Sequence, residues 1–506
     1  MRLLRILFVL ASAATVAMAQ TNATPQTRQL SLQDCIQLAL LHNLDLQIDR
    51  YNPQIALFNL RGDYGAYDPL FNLSGQHDHN EAGSQILGGG FTIPGSITDD
   101  NSFSGGLNGV TPLGTTYSLQ GNTRDSYGQS FGFDTNGAIV PRPFENSGAS
   151  ASLTLNQPLL KNLWIDNNRL VIRVAKNRLK YSELLLKLQV EQTISSLEQA
   201  YYDLIYNREN VTVQQKAVEL AERLVLENRK RLEVGALAPL DLQSAEAQAA
   251  STRAAVIAAR SQLGTQERLV KSLVTDAYST EWATVTLEPA EKLNSPVPVI
   301  NLQDSWAKGL AQRPELLQAK LDVERVGIIL KYDQNQILPE LDVFGTYGFN
   351  GSGKEFSDAF GDFKTTDRPF YTYGGKITIP LSNIKARSSY KADKANMQQV
   401  VLALKQFEQN ILIQIDNDIG TIRANYDQVQ ATRAAREYEE AALDAEQKKL
   451  ESGKSTTYTV LQVQRDLTTA RGNEIQALDT YNKSLSQLSL HEGSTLDRLQ
   501  ILWETK

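Results

Sequence analysis

The sequence predicts an α+β membrane protein in which a unit of paired strands and a long helical hairpin occurs twice. Three observations predict it: short motifs that recur far along the chain, apolar residues spaced by seven, and segments in which apolar and polar residues alternate. Self-similarity at a long offset indicates a duplicated structural unit. With 506 residues, the chain is long enough to bury a large core without disulfides or a structural metal.

Composition excludes several classes of protein. The 50 basic and 57 acidic residues give a net charge of −7, which argues against a nucleic-acid-binding protein. The single long apolar run, at the N-terminus, excludes a polytopic helical membrane protein, which needs several runs of about 20 residues. With one cysteine and four histidines, we predict no cofactor, no metal site and no enzymatic activity. His77 and His79 would face one side of a strand, but a third metal ligand is not evident.

Residues 1–19 are predicted to be a secretory signal peptide. Arg2 and Arg5 precede an apolar stretch, and small residues end at Ala19, so cleavage is expected before Gln20. Loss of the two arginines leaves 48 basic against 57 acidic residues, a net charge of −9. Cys35 has no second cysteine to pair with and is predicted to be a buried small hydrophobe.

Short motifs that recur along the chain indicate the duplication. Leu-Gln-Asp at 32–34 returns at 302–304, an offset of 270 residues. Pro-Leu at 158–159 returns after 222 residues, and Gly235 returns after 218 as Gly453. The difference between the first two offsets shows that the first copy carries about 48 extra residues ahead of its Pro-Leu pair.

Apolar and polar residues alternate in several segments, which is the period of a strand with two different faces. The alternation covers 149–155 in the first copy and 341–349 and 371–379 in the second. It suits a membrane barrel with a wet lumen, and equally a soluble sheet packed on helices. The extra residues contain another alternating pair, 102–110 and 115–125, which could join a barrel, line a lumen or cap the outside.

Long helices follow each strand segment. Apolar residues fall every seven positions from Val190 to Leu232, and the same column returns 218 residues later with one interruption, Arg436. This spacing is typical of helices that supercoil and pack side by side. Gly235 and Pro239 mark the end of one helix and the start of the next. The predicted helices cover 36–62, 165–234, 239–276, 304–335, 384–452 and 457–490.

These boundaries divide the chain into segments that repeat in the same order. The segments are a signal peptide (1–19), an N-terminal segment with the first short helix (20–66), the first barrel strands with the extra hairpin (67–158), the first long helical hairpin (159–276), an equatorial linker with the third short helix (277–336), the second strand pair (337–382), the second long helical hairpin (383–490) and a C-terminal tail (491–506). Each copy therefore consists of a short helix, strands, a very long helix, a glycine turn and a further helix.

Over about 30–490 the sequence resembles the TolC-type outer-membrane efflux channels. The motifs that carry the resemblance lie at 30–34, Ala39, Leu40, Asn43, 157–160, Gly235, 241–247, Gly453, Val460 and Leu461. The resemblance implies a homotrimer in which each chain gives four strands to a 12-stranded outer-membrane β-barrel. It also implies that the barrel is continued by a 12-helix periplasmic α-barrel.

The resemblance implies the function as well. Such a protein is the exit duct of a tripartite efflux or type I secretion system, a passive conduit for small molecules or exported proteins that needs no cofactor. It would lie in the outer membrane with its tunnel in the periplasm, and its partners would be a periplasmic adaptor and an inner-membrane pump. The alternative is a periplasmic coiled-coil adaptor or structural scaffold, but an adaptor would carry one helical hairpin, whereas this chain has two.

The family gate lies at the hairpin tips. The resemblance places acidic rings six and nine residues after the second turn glycine, where this chain has Thr459 and Gln462. The acid of the first copy is present as Asp241, although an acid there also suits the first turn of a helix. In the family this acid is partnered by an Arg and a Tyr that flank the second turn glycine. The corresponding residues here are Ser455 and Leu450. The tip residues implied to contact the adaptor are Val234, Gly235, Ala236, Leu237, Ser452, Gly453, Lys454 and Ser455.

Overall fold

The computed structural model describes residues 27–88, 90–365 and 367–501, so the predicted signal peptide lies outside the described residues. The described residues form two compact units. The helical unit comprises the described residues up to 47 together with Gln192–Ile300 and Asn417–Leu490. The sheet unit comprises Ile48–Glu191, Asn301–Asp416 and the residues from His491 onward.

Helices make up most of the described chain. They are α1 (Leu32–His42), α2 (Leu44–Asp49), α3 (Tyr51–Asp63), α4 (Asn167–Glu233), α5 (Pro239–Val274), α6 (Thr280–Thr284), α7 (Leu302–Gln312), α8 (Pro314–Gln336), α9 (Phe356–Thr365), α10 (Ile384–Glu451), α11 (Thr457–Glu492) and α12 (Thr495–Arg498), with a 3₁₀ turn at Tyr64–Tyr67. The strands are β1 (Thr27–Leu30), β2 (Leu70–Glu81), β3 (Gln85–Leu87), β4 (Phe91–Ile93), β5 (Ile97–Val110), β6 (Thr116–Phe133), β7 (Ile139–Pro158), β8 (Thr286–Pro289), β9 (Glu340–Gly353) and β10 (Pro369–Thr378). None of the helices in the described part of the chain combines the length and the apolar character that a membrane crossing needs.

The four helices of the two predicted hairpins, α4, α5, α10 and α11, lie within two residues of their expected bounds. The 67 residues of α4 and the 68 residues of α10 give each helix a length of about 100 Å. Heptad positions form the core along much of both helices. Those that are buried are Val190, Leu197, Leu204, Val211, Ile415, Ile422, Val429, Leu443 and Leu450.

The buried column of α4 changes toward its C-terminus. Beyond Val211 the heptad residues Val218 and Val225 are only half-buried, and Ala221 and Leu224 take the core positions instead. The core of α4 therefore moves to a different face of the helix near its C-terminus.

The first short helix is interrupted, whereas the sequence predicted one helix over 36–62. Asn43 adopts an extended conformation between α1 and α2, and its Oδ1 accepts a hydrogen bond of 3.0 Å from the Leu46 N–H. The predicted helix 304–335 is likewise divided, because Pro314 begins α8 and Arg313 before it is extended. The break therefore occurs at the same place in both copies.

The large sheet has six strands, in the order β10-β9-β7-β6-β5-β2, and all neighbours are antiparallel. The resemblance implied four barrel strands from each chain, whereas the sheet of this chain contains six strands. The extra residues of the first copy form the hairpin β5–β6, which is inserted between β2 and β7. Two further sheets have two strands each, the parallel pair β1-β8 and the hairpin β3-β4.

Cys35 lies in the core of the helical unit, with 1% of its surface exposed. Burial raises the pKa of its thiol to about 12, which keeps the thiol protonated at neutral pH. The prediction of a buried cysteine is confirmed.

Glu191 is a buried acid without a hydrogen-bond partner among the described residues. Its side chain is fully buried, and the Lys187 Nζ lies 3.6 Å from its Oε1. Burial raises the pKa of the Glu191 carboxyl to about 7, although the positive charge of Lys187 lowers it in part. The native state therefore binds a proton between about pH 4.5 and pH 7 that the unfolded chain releases.

We expect Asn43→Ala to destabilise the helical unit by about 1–2 kcal/mol, because the α2 cap and the 3.2 Å bond from Asn43 Nδ2 to the Leu273 carbonyl are both lost. Thermal unfolding of the detergent-solubilised protein measures the loss. Asn59→Ala, at an exposed position of α3, is the matched control and should leave the midpoint unchanged. Equal unfolding midpoints for Asn43→Ala and Asn59→Ala would contradict the stabilising role of the Asn43 cap.

We expect stability to rise as the pH falls from about 8 to about 5, because Glu191 is uncharged only below its raised pKa. Glu191→Gln should be more stable than the parent at pH 8, by an amount on the order of 3 kcal/mol, with the difference vanishing near pH 5. Unfolding midpoints across this pH range test it. Glu227→Gln, exposed on the same helix, should show no such dependence on pH. If the stability difference between Glu191→Gln and the parent were the same at every pH, the raised pKa of Glu191 would be refuted.

Candidate functional site

The six-stranded sheet carries an apolar face formed by odd-numbered residues. Odd residues pair with odd residues at every strand boundary, so one row crosses the whole sheet. That row is Phe71, Leu107, Leu119, Leu153, Tyr347 and Tyr371. Phe71 and Tyr371 at its two ends are 70% and 72% exposed in the single chain. An apolar row that crosses a whole sheet and is exposed at both ends marks contact with a membrane or with another protein.

The opposite face carries even-numbered residues and is polar. Its rows include Ser74, Ser104, Asn122, Ser150 and Asn350. Hydrogen bonds cross between strands on this face, at 2.6 Å from Ser74 to Ser104 and 2.9 Å from Thr154 to Thr346. Arg124 binds Asp100 at 2.6 Å on the same face. The side chains of this face are therefore of the kind that lines water.

His77 and His79 lie on the odd-numbered face, beyond its apolar rows. The His77 Nδ1 is 2.9 Å from the Asn101 Oδ1, and the His79 Nδ1 is 2.6 Å from the Asp99 Oδ1. The histidines share one side of β2, as the alternation predicted, and each bonds its cross-strand neighbour. Within the described residues, no three His, Cys, Asp or Glu side chains are grouped to hold a metal ion.

Helix α9 covers part of the odd-numbered face. A Cβ on Gly351 would lie 2.3 Å from the Ala359 carbonyl oxygen, so only glycine allows this close approach. The Phe356 and Phe360 rings stack at 6.4 Å, and the Lys364 Nζ lies 4.9 Å from the Phe360 ring centre. The sequence reasoning missed this helix. Its signal is the spacing of Phe356, Phe360 and Phe363 by four and three residues.

The two hairpin tips share one backbone structure. Gly235 has a φ of +77°, its N–H donates to the Leu232 carbonyl at 2.9 Å, and the next N–H donates to the Arg231 carbonyl at 2.8 Å. Gly453 has a φ of +73° and repeats both bonds, at 3.1 and 2.8 Å. This is the Schellman helix end, which favours glycine because the conformation is left-handed. The duplicated turn predicted from the two glycines is confirmed.

The side chains at the two tips differ. Val234 and Leu240, beside the first turn, are 78% and 71% exposed. The second turn presents Ser452, Lys454 and Ser455, whose hydroxyl donates to the Glu446 carboxylate. The Arg231 Nη1 donates to the Leu450 carbonyl at 3.2 Å, which ties the last turn of α4 to the last turn of α10. The expected tip residues are therefore at the surface, apolar on one tip and polar on the other.

The candidate gate residues Asp241 and Thr459 lie in the first turns of α5 and α11, and Gln462 lies in the second turn of α11. Asp241 follows Ala238, which has no side chain to cap the helix, and Thr459 bonds Thr456 at 2.9 Å between their hydroxyl groups. Gln462 is exposed on α11. Asp241 makes no side-chain bond to Thr459 or Gln462 in the described part of the chain. Leu450, at the position matched to the family tyrosine, is buried in the tip core.

Arg436, the interruption in the second heptad column, binds across two helices. Its guanidinium lies 2.7 Å from Glu474 on α11 and 3.0 Å from Glu440 on its own helix. Arg471 binds Glu440 at 2.7 Å, and this bond lowers the pKa of that carboxyl. The sequence marked the position as an exception, but the partner on α11 is visible only in the structure.

We expect Arg436→Leu to destabilise the α10–α11 pair by about 1–3 kcal/mol, because the half-buried carboxylate of Glu474 loses its closest cationic partner. Thermal unfolding and the protease resistance of the hairpin measure the effect. Arg436→Lys keeps the charge and should lie between the parent and the leucine variant. A leucine variant as stable as the parent would show that completing the apolar column outweighs the ion pairs.

The comparisons with known proteins agree with this geometry. The chain matches the family described as Outer membrane efflux protein over residues 113–274 and 307–494. It is 23% identical over 352 residues to the outer membrane efflux protein BepC of Brucella suis biovar 1 (strain 1330), a match that covers 69% of this chain and 73% of BepC.

Two solved structures show the same fold. VceC from Vibrio cholerae matches with a TM-score of 0.65 and 15% identity, over 91% of this chain and 96% of VceC. The open state of the MtrE outer membrane channel of Neisseria gonorrhoeae matches with a TM-score of 0.63 and 16% identity, over 92% of this chain and 89% of MtrE. With more than half of its length matched by the family, this chain belongs to the outer membrane efflux protein family.

Proposed function

We propose that three copies of this outer-membrane efflux channel form the exit duct of a tripartite efflux or type I secretion machine. The observation that carries the proposal is the register of the large sheet, which leaves one apolar and one polar face across all six strands. A sheet with these faces suits a barrel wall with lipid outside and water inside. The duct does no bond chemistry, so the energy for transport comes from a partner pump.

The height of the apolar face supports a position within the membrane. On β9 the part of the face not covered by α9 runs from Leu341 to Phe349, which is about 27 Å along a strand. A strand tilt of about 40° reduces this to about 21 Å, comparable with the apolar band of about 25 Å on outer-membrane barrels. Polar residues begin beyond it, in the row that contains His77 and Ser147.

The hairpin tips are the proposed contact with a periplasmic adaptor. Val234 to Leu237 at one tip and Ser452 to Ser455 at the other are held by Schellman turns, so their backbones are rigid. Val234 and Leu240 are exposed apolar side chains, and a partner that covers them removes their apolar surface from water, which favours binding. The polar second tip supplies hydrogen bonds at the same partner.

The gate is proposed to close without acidic rings on the second copy. Thr459 and Gln462 offer hydroxyl and amide groups, and Asp241 is the acid of the first copy. Closure then depends on hydrogen bonds and apolar contacts between copies. Asp241→Ala tests the role of the acid. An unchanged open probability in single-channel recordings of that variant would remove Asp241 from the gate.

The duct is tested by electron microscopy and conductance of the detergent-solubilised mature protein. A hollow threefold particle that conducts ions after reconstitution in a lipid bilayer is the expected result. The alternative, a periplasmic adaptor or scaffold, predicts an elongated particle without a threefold lumen and without conductance. That second result would overturn the proposal.

We expect the double variant Val234→Ser, Leu240→Ser to lose efflux in cells while the purified channel still conducts, because only the partner contact is removed. A tenfold loss of affinity for the adaptor corresponds to about 1.4 kcal/mol of binding, and the tolerance of cells to an exported compound is the readout. Val299→Ser, an apolar residue that is 97% exposed elsewhere in the helical unit, is the matched control and should retain efflux. Full efflux by the double variant would exclude the tips as the adaptor contact.

A further inference from the structure

We infer that the outer-membrane barrel of this channel has eighteen strands, six from each of three copies, rather than twelve. The inference rests on the proposed trimer for the number three and on the observed sheet for the number six. The inserted hairpin β5–β6 is thus part of the barrel wall. It widens the barrel, and neither lines the lumen nor caps the outside.

The hairpin has the two faces of a barrel wall. Phe103 and Leu107 on β5, with Tyr117 and Leu119 on β6, continue the apolar face of the neighbouring strands. The even-numbered residues between them continue the polar face and include Ser102, Ser104, Ser118, Gln120 and Asn122. A hairpin inside the lumen would meet water on both sides and would need no apolar face. This hairpin separates the two environments as the other four strands do.

Hydrogen bonding also places the hairpin in the wall. β5 pairs with β2 from Ile97 to Asn108 and with β6 over its whole length, and β6 pairs with β7 from Thr116 to Phe133. Two strands therefore stand between β2 and β7, which puts those strands about 14 Å apart at ordinary strand spacing. A four-stranded wall would require both sets of bonds to break and β2 to pair with β7 instead.

The free edges of the sheet fit a second copy of this chain. Along the sheet each strand is antiparallel to the next, so the edge strands β2 and β10 run in opposite directions. β2 of one copy can therefore pair antiparallel with β10 of the next, as closure of an even-numbered barrel requires. The two edges have similar lengths, 12 and 10 residues. Within lipid, an edge must pair, because no water satisfies its N–H and C=O groups.

The side chains at the edges match as well. β2 ends the apolar face with Phe71 and Leu73, and β10 ends it with Tyr371 and Tyr373, all of them at least 70% exposed in the single chain. Closure places these aromatic and aliphatic groups beside each other across the new strand boundary, which is a favourable cross-strand pairing. The apolar row from Phe71 to Tyr371 then continues from one copy to the next around the barrel.

The width of the barrel follows from its strand number. With strands about 4.8 Å apart and tilted by about 40°, twelve strands give a backbone diameter of about 24 Å and eighteen give about 36 Å. The cross-section is thus roughly doubled, to the size at which barrels hold a wide aqueous channel. The outer-membrane part of this duct is therefore suited to bulky cargo.

The test is disulfide cross-linking of the full-length protein in its membrane, in a Cys35→Ala background. Phe71→Cys with Leu107→Cys, and Leu119→Cys with Leu153→Cys, should cross-link within one chain, because each pair faces across adjacent strands. Phe71→Cys with Leu153→Cys should not, because disulfides do not bridge Cα atoms more than about 7 Å apart. The background without added cysteines controls for other products.

Electron microscopy of the unmodified trimer at a resolution that separates strands gives the second readout. Eighteen strands support the inference. A conducting threefold particle with twelve strands, or an efficient Phe71→Cys to Leu153→Cys cross-link, would overturn it while leaving the duct intact. A particle without threefold symmetry or conductance would instead overturn the trimeric duct, and the eighteen-stranded barrel with it.

Discussion

Backbone hydrogen bonding is the constraint on which the sheet unit depends. The hydrocarbon core of a membrane offers no water, so each N–H and C=O must find its partner in a neighbouring strand. The antiparallel register provides partners on both sides of β5, β6, β7 and β9. A slip of one residue at any strand boundary would move apolar side chains to the polar face. The row from Phe71 to Tyr371 shows that the register is kept across all six strands.

The long helices were the most predictable elements, because a spacing of seven repeated over many turns leaves a signal that few other structures produce. The interruptions in the short helices were not predicted, although Pro314 gave a local signal for one of them. At Asn43 the decisive contacts are its bonds to Leu46 and to the distant Leu273. Helix α9 was missed because ten residues within a segment rich in Gly and Asp read as a loop.

The sheet was predictable only in part. Alternation identified the faces of single strands, but it does not specify which strands are neighbours, because pairing joins residues far apart in the sequence. The extra hairpin could therefore be recognised as strands and not placed. At the tips, the glycines predicted the turns, since few residues adopt a left-handed backbone. The bond from Arg436 to Glu474 joins residues 38 positions apart, and only the structure shows it.

The antiparallel order of the sheet has a consequence for how such channels can change over evolutionary time. Inserting a single strand would make the two edges run in the same direction, and a ring of identical copies could then no longer close with antiparallel neighbours. Only pairs of strands preserve the direction of both edges, and β5–β6 is such a pair. In a ring of three copies, circumference would therefore grow in steps of six strands. Bore width in this architecture is a discrete trait, which a single inserted hairpin changes by one whole step.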